Sequence, residues 1–229
     1  MTSIVFPRSR SALLDELRLD RGTTRHLAML VATIIAFGST YGAVLGSWHG
    51  ARLSVYVAIK IPLMLLVTAA ITSLFNWIIA ALLGLPMRVR QIVALTLIPL
   101  AITSIVAASL APVAWLFNAS LPSPAPSQRT THNVLYLAHT MLIAAAGLSG
   151  TSTLRHVLAD VCGDAKQASK IRWSWIAVYA FVGSEVAWAL RPFIGSVYLP
   201  VVFLREDALR GNVYEFILTD ILPHLWRSL

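Results

Sequence analysis

Charged residues are scarce in this chain, and their scarcity determines the class of protein. Only 12% of the 229 residues are charged, whereas 57% are hydrophobic. A soluble domain of this size has about 25% charged residues. The apolar residues form blocks of about 20, the helix length that crosses a hydrocarbon core of about 30 Å. Several such blocks cannot all occupy the centre of one small globule, so the composition predicts an integral membrane protein.

Cysteine and recognisable catalytic motifs are also nearly absent. The single Cys162 excludes an intrachain disulfide. The sequence lacks a glycine-rich phosphate loop with a lysine, an HExxH motif, paired cysteines and a nucleophile elbow. These absences favour a protein without catalytic residues, metal ligands or cofactors.

The net charge of +8 is explained by membrane orientation better than by nucleic-acid binding. Eleven Lys and Arg residues lie in the N-terminal segment and in the second and fourth connections between apolar blocks, and seven lie elsewhere. Since basic residues concentrate on the cytoplasmic side, the N-terminus is predicted to be cytoplasmic and the C-terminus outside. We expect a multi-pass protein of the bacterial inner membrane that does not bind nucleic acid.

Five apolar blocks predict an all-α integral membrane bundle of five transmembrane helices within residues 27–193. The predicted spans are residues 27–47, 55–84, 89–116, 134–153 and 173–193. Residues 118–133 are rich in Pro and Ser and predict an exposed outer loop, and residues 154–172 predict a basic cytoplasmic link.

Both ends of the chain predict amphipathic segments. Residues 1–26 combine an apolar stripe with arginines, which suits a cytoplasmic arm lying on an anionic membrane or packed on the protein. Residues 194–229 predict an outer tail containing an amphipathic helix. In that helix Asn212 is the expected cap and Glu215 is expected to reach back to it.

The first block contains Gly38, Gly42 and Gly46, four residues apart. On a helix these glycines form a groove that lets a second helix approach closely. The partner helix is in the same chain or in another one.

Four polar residues are predicted to lie in one layer, about 10 Å below the outer surface: Glu185, Lys60, His139 and Tyr41. A carboxylate at membrane depth costs roughly 2.5–3.5 kcal/mol unless it is partnered. Glu185 is therefore expected to pair with Lys60, with His139 bonded to either. Such a layer either fixes helix register or relays protons, and a third possibility is that the residues do not meet.

A motif begins at the end of the fifth block and continues beyond it: Trp188, Leu190, Arg191, Pro192, Phe193, Gly195, Ser196, Phe203, Leu204, Arg205, Gly211, Asn212, Tyr214 and Glu215. It resembles the C-terminal part of a group of uncharacterised bacterial multispanning membrane proteins, in which W-x-L-R-P-F-x-G-S is followed by F-L-R and G-N-x-Y-E. The resemblance covers residues 188–215 and implies no activity. The five-span architecture also resembles that of the Yip family of membrane-trafficking proteins.

These features lead to two functional hypotheses. The first is a non-enzymatic structural or assembly subunit that binds protein partners, or a second copy, through the N-terminal arm, the glycine groove or the outer tail. The alternative is a small proton- or ion-coupled transporter that uses Glu185, His139 and Lys60.

Overall fold

Helices form most of the computed structural model, which describes residues 23–85, 87–196, 198–216 and 219. They account for 81% of these residues and no strand occurs among them, so the all-α prediction is confirmed. We number the α-helices in chain order: α1 Thr23–Gly46, α2 Ala51–Leu82, α3 Val89–Ala119, α4 Arg129–Cys162, α5 Ala165–Ala189 and the single turn α6 Val213–Phe216. Short 3-10 turns cover Ser47–His49 and Pro126–Gln128.

Among the described residues, four helices are long and apolar enough to cross a membrane. They are Thr24–His49, Ala51–Leu82, Val89–Ala119 and Pro126–Cys162. Helices α2 and α3 continue through their internal prolines. At 1.5 Å per residue the 32 residues of α2 extend about 48 Å, so this helix exceeds the hydrocarbon core and must tilt or reach the headgroups. These lengths support a membrane-embedded protein.

The core of the bundle has two parts, one towards each end. We call the first end the one at which α1, α3 and α5 begin, and the second end the opposite one. The cluster towards the first end includes Ile92, Leu95, Leu158 and Trp175, and the cluster towards the second end includes Tyr41. Helix α3 contributes to both clusters because it packs against α1, α2 and α4.

Helices α1 and α2 form a closely packed hairpin along the glycine groove. A Cβ added at Gly42 would lie 2.5 Å from the carbonyl oxygen of Val57, and one at Gly46 would lie 2.6 Å from that of Leu53. Gly38 faces Pro62 at ordinary van der Waals distance. The groove is therefore filled by α2 of the same chain.

The predicted link over residues 154–172 is wrong, because most of it is helical. Helix α4 continues to Cys162 and α5 begins at Ala165. Only Gly163 and Asp164 separate them. Gly163 has a φ of 70°, and the Asp164 carboxylate accepts hydrogen bonds from the backbone N–H groups of Lys166 and Gln167. The sequence prediction ended the helices at the basic residues, although Leu154 and Leu158 continue the buried face.

The tail leaves α5 at Leu190 and folds back over the second end. The Arg191–Pro192 peptide bond is cis, and Ile194 is buried in the cluster at that end. The predicted N-terminal arm lies outside the described residues except for residues 23–26, which begin α1. Of the predicted tail helix the structure describes α6 and Thr219, and the rest lies outside the described residues.

Candidate functional site

Three buried side chains from three helices form one hydrogen-bonded network near the second end. The Tyr41 hydroxyl on α1 lies 3.0 Å from Nδ1 of His139 on α4, and Nε2 of His139 lies 3.0 Å from Oδ1 of Asn118 on α3. Asn118 Nδ2 donates to the Val44 carbonyl at 2.7 Å and to the Ser47 hydroxyl at 3.1 Å. The network joins α1, α3 and α4 through side chains that are at most 5% exposed.

The hydrogen-bond roles in this network follow from the chemistry of its members. Asn118 Nδ2 is a donor to Val44, so its Oδ1 must accept, and His139 Nε2 must carry a proton. A neutral imidazole with its proton on Nε2 has an acceptor at Nδ1, which receives the Tyr41 hydroxyl proton. This tautomer satisfies every polar atom of His139 without a charge. The network is therefore suited to bracing helices.

Asn118 was missed by the sequence prediction, which placed it in the exposed outer loop. It lies instead in the last turn of α3 and is 5% exposed. The signal was present: Ala111, Ala114 and Asn118 are spaced i, i+3, i+7 and share the buried face of α3. The predicted loop correspondingly begins later.

An aromatic and histidine cluster lies beside this network. Trp48 donates its indole N–H to the Pro122 carbonyl at 3.0 Å. Its ring stacks on His132 with centroids 5.9 Å apart and meets the edge of His49 at 5.3 Å. Nε2 of His49 and Nδ1 of His132 are buried and have no hydrogen-bond partner in the described part of the chain. Within those residues no group of three His, Cys, Asp or Glu is arranged to hold a metal ion.

Lys60 connects α2 to the tail. Its side chain is fully buried, and Nζ donates to the Pro192 carbonyl at 2.9 Å. The same ammonium lies 5.8 Å from the ring centroid of Phe193 and 5.2 Å from that of Phe203. A carbonyl dipole and two aromatic faces therefore surround this cation where a carboxylate was expected.

The expected ion pair between Glu185 and Lys60 does not form among the described residues. Glu185 is half-buried on α5, and its Oε1 atom is buried without a hydrogen-bond partner. Lys60 is instead oriented towards the tail that folds over its end of α2. The predicted layer thus divides into Tyr41 with His139, Lys60 with the tail, and Glu185, which bonds to none of the other three.

The motif after α5 closes the tail into a loop. The Arg191 guanidinium lies 3.8 Å from the Trp188 ring centroid, donates to the Trp188 carbonyl at 2.9 Å and pairs with Asp207 at 3.1 Å. Gly195 has a φ of 84°, and a Cβ there would lie 2.6 Å from the His49 ring. This glycine lets the tail backbone closely approach the turn that precedes α2. Arg205 lies half-buried in the same loop.

The end of the motif docks the tail onto α5. Gly211 has a φ of 66°, and the Asn212 side chain accepts from the Glu215 backbone N–H at 2.8 Å, which caps α6. Tyr214 stacks on Phe181 with centroids 5.4 Å apart, and its hydroxyl lies 2.9 Å from that of Ser184. The capping role predicted for Asn212 thus matches the geometry.

A second buried polar group lies where α2, α3 and α5 meet. The Tyr179 hydroxyl donates to the Thr96 carbonyl at 2.6 Å, and Asn76 Nδ2 lies 3.3 Å from the Thr96 hydroxyl. Oδ1 of Asn76 and Nε1 of the fully buried Trp175 have no hydrogen-bond partner within the described ranges. None of these side chains was among the site residues predicted from the sequence.

Comparison with known proteins assigns this chain to no family. No protein-family model, no curated protein and no solved structure matches this chain.

Proposed function

We propose that this chain is a non-enzymatic integral membrane protein with five spans, and that it serves as a structural or assembly subunit of a membrane complex. Helix α5 provides the fifth span. Its 25 residues extend about 38 Å, enough to cross the hydrocarbon core. Trp188 lies near its C-terminal end, where an indole ring favours the membrane interface, and Trp173 lies eight residues after its start.

The proposed orientation places the first end in the cytoplasm of a bacterial cell and the tail outside. The charge count supports it, since eleven of the eighteen basic residues lie in the N-terminal segment and in the second and fourth connections along the sequence. Under this orientation the tail loop lies on the outer side, and α6 packs against the outer half of α5 through Phe181 and Ser184.

One observation supports the structural role: the side chains of His139 and Lys60 make hydrogen bonds that join the helices and the tail. Both nitrogens of His139 are hydrogen-bonded within the bundle, and the Lys60 ammonium binds the tail backbone. A group that transfers protons or binds substrate must exchange partners, whereas these contacts join helices and tail. We infer that their role is to keep the outer surface in one shape.

The tail is the surface proposed to meet a protein partner. Leu209 is 86% exposed and Tyr198 62% exposed on a loop that is closed by Arg191 and Asp207. Large apolar side chains presented on an ordered aqueous surface favour protein contacts. The glycine groove is occupied by α2, which leaves the tail and the N-terminal arm as the proposed contact surfaces.

Site-specific photo-crosslinking tests this role. A photoreactive phenylalanine analogue replaces Leu209 in one variant and Leu148, 71% exposed on the proposed lipid-facing side of α4, in a control. Leu209 is expected to give one adduct of defined mass, and Leu148 is expected to give none. An adduct of twice the chain mass would identify the partner as a second copy. The proposal fails if irradiation at Leu209 yields no protein adduct in membranes from the native host.

A second candidate is proton- or ion-coupled transport, and one observation favours it. The Oε1 atom of Glu185 is buried and lacks a hydrogen-bond partner within the described ranges. Intramembrane carboxylates in such environments bind and release protons in many transporters.

Flux into proteoliposomes separates this candidate from the structural role. Glu185→Gln keeps the shape of the side chain and removes its titration, and Glu206→Gln changes an exposed tail carboxylate as the matched control. Transport through Glu185 predicts proton flux that Glu185→Gln abolishes and Glu206→Gln retains. Absence of flux in the wild type, or equal flux in all three proteins, would eliminate transport.

A further inference from the structure

A cavity of about 490 Å³ opens at the first end of the bundle, beside the C-terminal cap of α2 and the first turns of α5. Its lining consists of Leu83, Lys166, Ser169, Lys170, Trp173 and Ser174. The volume falls within the range of roughly 300–1,000 Å³ that small-molecule sites occupy. It shares no lining residue with the polar networks described above.

Two ammonium groups line this cavity, and its lining residues include no acidic side chain. Lys166 and Lys170 are one helical turn apart, so their side chains project from the same face of α5. Neither makes an ion pair with another residue in the described ranges. Like charges at this spacing repel each other, and a bound anion between them removes that cost. The hydroxyl groups of Ser169 and Ser174 add hydrogen-bond donors to the same wall.

Two residues of the lining, Leu83 and Trp173, are also in contact with neighbouring side chains. The Gln167 side chain donates to the Leu83 carbonyl at 2.7 Å, which ties the start of α5 to the end of α2. Trp173 is 62% exposed, and the Arg172 guanidinium lies 5.2 Å from its ring centroid. The cavity thus combines a cationic, hydroxyl-bearing wall with an indole at the level of the membrane interface.

We propose that this cavity binds the phosphate headgroup of an anionic phospholipid. The two lysines and the two serines contact the phosphate, while Leu83 and the Trp173 ring lie beside the glycerol and the first acyl carbons. Basic pockets between membrane helices on the cytoplasmic side bind anionic headgroups by this combination of charge and apolar wall. The proposal depends on the chain being embedded in a membrane and not on its role as an assembly subunit.

Lipid titration followed by native mass spectrometry tests the site. Delipidated full-length protein in detergent is titrated with phosphatidylglycerol or with phosphatidylcholine of the same acyl chains. The test variant is Lys166→Gln/Lys170→Gln. The control is Arg90→Gln/Arg155→Gln, which removes two exposed charges from the same end but outside the cavity. A third variant, Lys166→Arg/Lys170→Arg, keeps both charges, and equal thermal midpoints establish that all variants fold.

The wild type is expected to bind its first phosphatidylglycerol about thirtyfold more tightly than phosphatidylcholine, since each lysine near an anionic headgroup contributes about fivefold. The glutamine pair should lose this preference, and the Arg90/Arg155 control and the arginine pair should retain it. The site is refuted if the wild type shows no preference, if the control loses as much as the glutamine pair, or if the arginine pair loses the preference. Displacement of the bound lipid by millimolar inorganic phosphate would overturn the lipid as the ligand.

Discussion

At the scale of single residues, the second end depends on one amide. Asn118 is the member of the network that accepts from His139 and donates to Val44 and Ser47. A carboxylate there would place a charge among apolar helices, and a hydroxyl lacks the second donor. The amide meets all three needs without charge. The amide keeps partners for His139 on α4, for Val44 on α1 and for Ser47 in the turn that follows α1, and a buried polar atom left unpaired costs about 1–3 kcal/mol.

Asn118→Ala should therefore lower the free energy of unfolding by about 1–3 kcal/mol, because it leaves His139 Nε2 and the Val44 carbonyl without this partner. The comparison is Asn133→Ala, the same substitution at an exposed position of α4, which should change the value by less than about 0.5 kcal/mol. Reversible unfolding in mixed micelles measures both. Equal values for the two variants would show that the network does not brace the helices.

At the scale of elements, the α1–α2 hairpin depends on backbone contact. Gly42 and Gly46 leave no room for a side chain, because the carbonyl oxygens of Val57 and Leu53 occupy the space where a Cβ would lie. In lipid there is little hydrophobic driving force between helices, so close van der Waals packing supplies the association. A methyl group at this contact has to push a whole helix away, since the neighbour is backbone and cannot rotate aside.

Gly42→Ala is expected to destabilise the fold by about 1–3 kcal/mol through overpacking. Gly147→Ala is instead expected to stabilise the fold. A Cβ there meets nothing within 4 Å, and removing a glycine from a helix interior stabilises by roughly 0.5–1 kcal/mol. Thermal denaturation in detergent compares the two alanine variants. A rise in the midpoint for Gly42→Ala would contradict the close approach of α1 and α2.

At the scale of the whole molecule, the tail and the bundle form one unit through Lys60. Burying an ammonium without a carboxylate is costly, and the Pro192 carbonyl with the Phe193 and Phe203 rings offsets only part of that cost. Replacing the lysine by an apolar side chain removes the burial cost but leaves the Pro192 carbonyl without this donor. The removed burial cost raises the global stability and the lost hydrogen bond lowers it, so the two effects oppose each other. Only the lost hydrogen bond acts on the attachment of the tail.

Lys60→Met should accordingly leave the melting temperature nearly unchanged and release the tail. Amide hydrogen exchange over residues 198–209 is expected to accelerate roughly five- to hundredfold, which corresponds to a lost buried hydrogen bond of about 1–3 kcal/mol. Exchange is measured by mass spectrometry in nanodiscs, with Arg155→Met at an exposed position of α4 as control. Unchanged exchange in that segment would mean that the tail is held without Lys60.

The predictions from sequence were correct for features that depend on composition, and the predicted ion pair, which depends on the direction of side chains, was wrong. Runs of apolar residues identified the long helices, because the demand for length and low polarity is local. The spacing of Gly38, Gly42 and Gly46 likewise marks a close helix contact on its own. The Glu185–Lys60 ion pair failed because depth along a helix does not specify the direction in which a side chain points. The Lys60 side chain instead donates to the Pro192 carbonyl, and no sequence pattern marks a backbone carbonyl as a partner.

The two-residue connection between α4 and α5 has a consequence for how the protein enters the membrane. Gly163 and Asp164 span at most about 7 Å, so the two helices cannot partition into the bilayer at separate times or separate places. Helix α5 carries Glu185 and is not among the four helices of clear membrane-spanning composition, whereas α4 is. In the proposed five-span arrangement, insertion as a paired hairpin would let the apolar α4 carry α5 across. The insertion of this proposed fifth span would then depend on its neighbour as much as on its own residues.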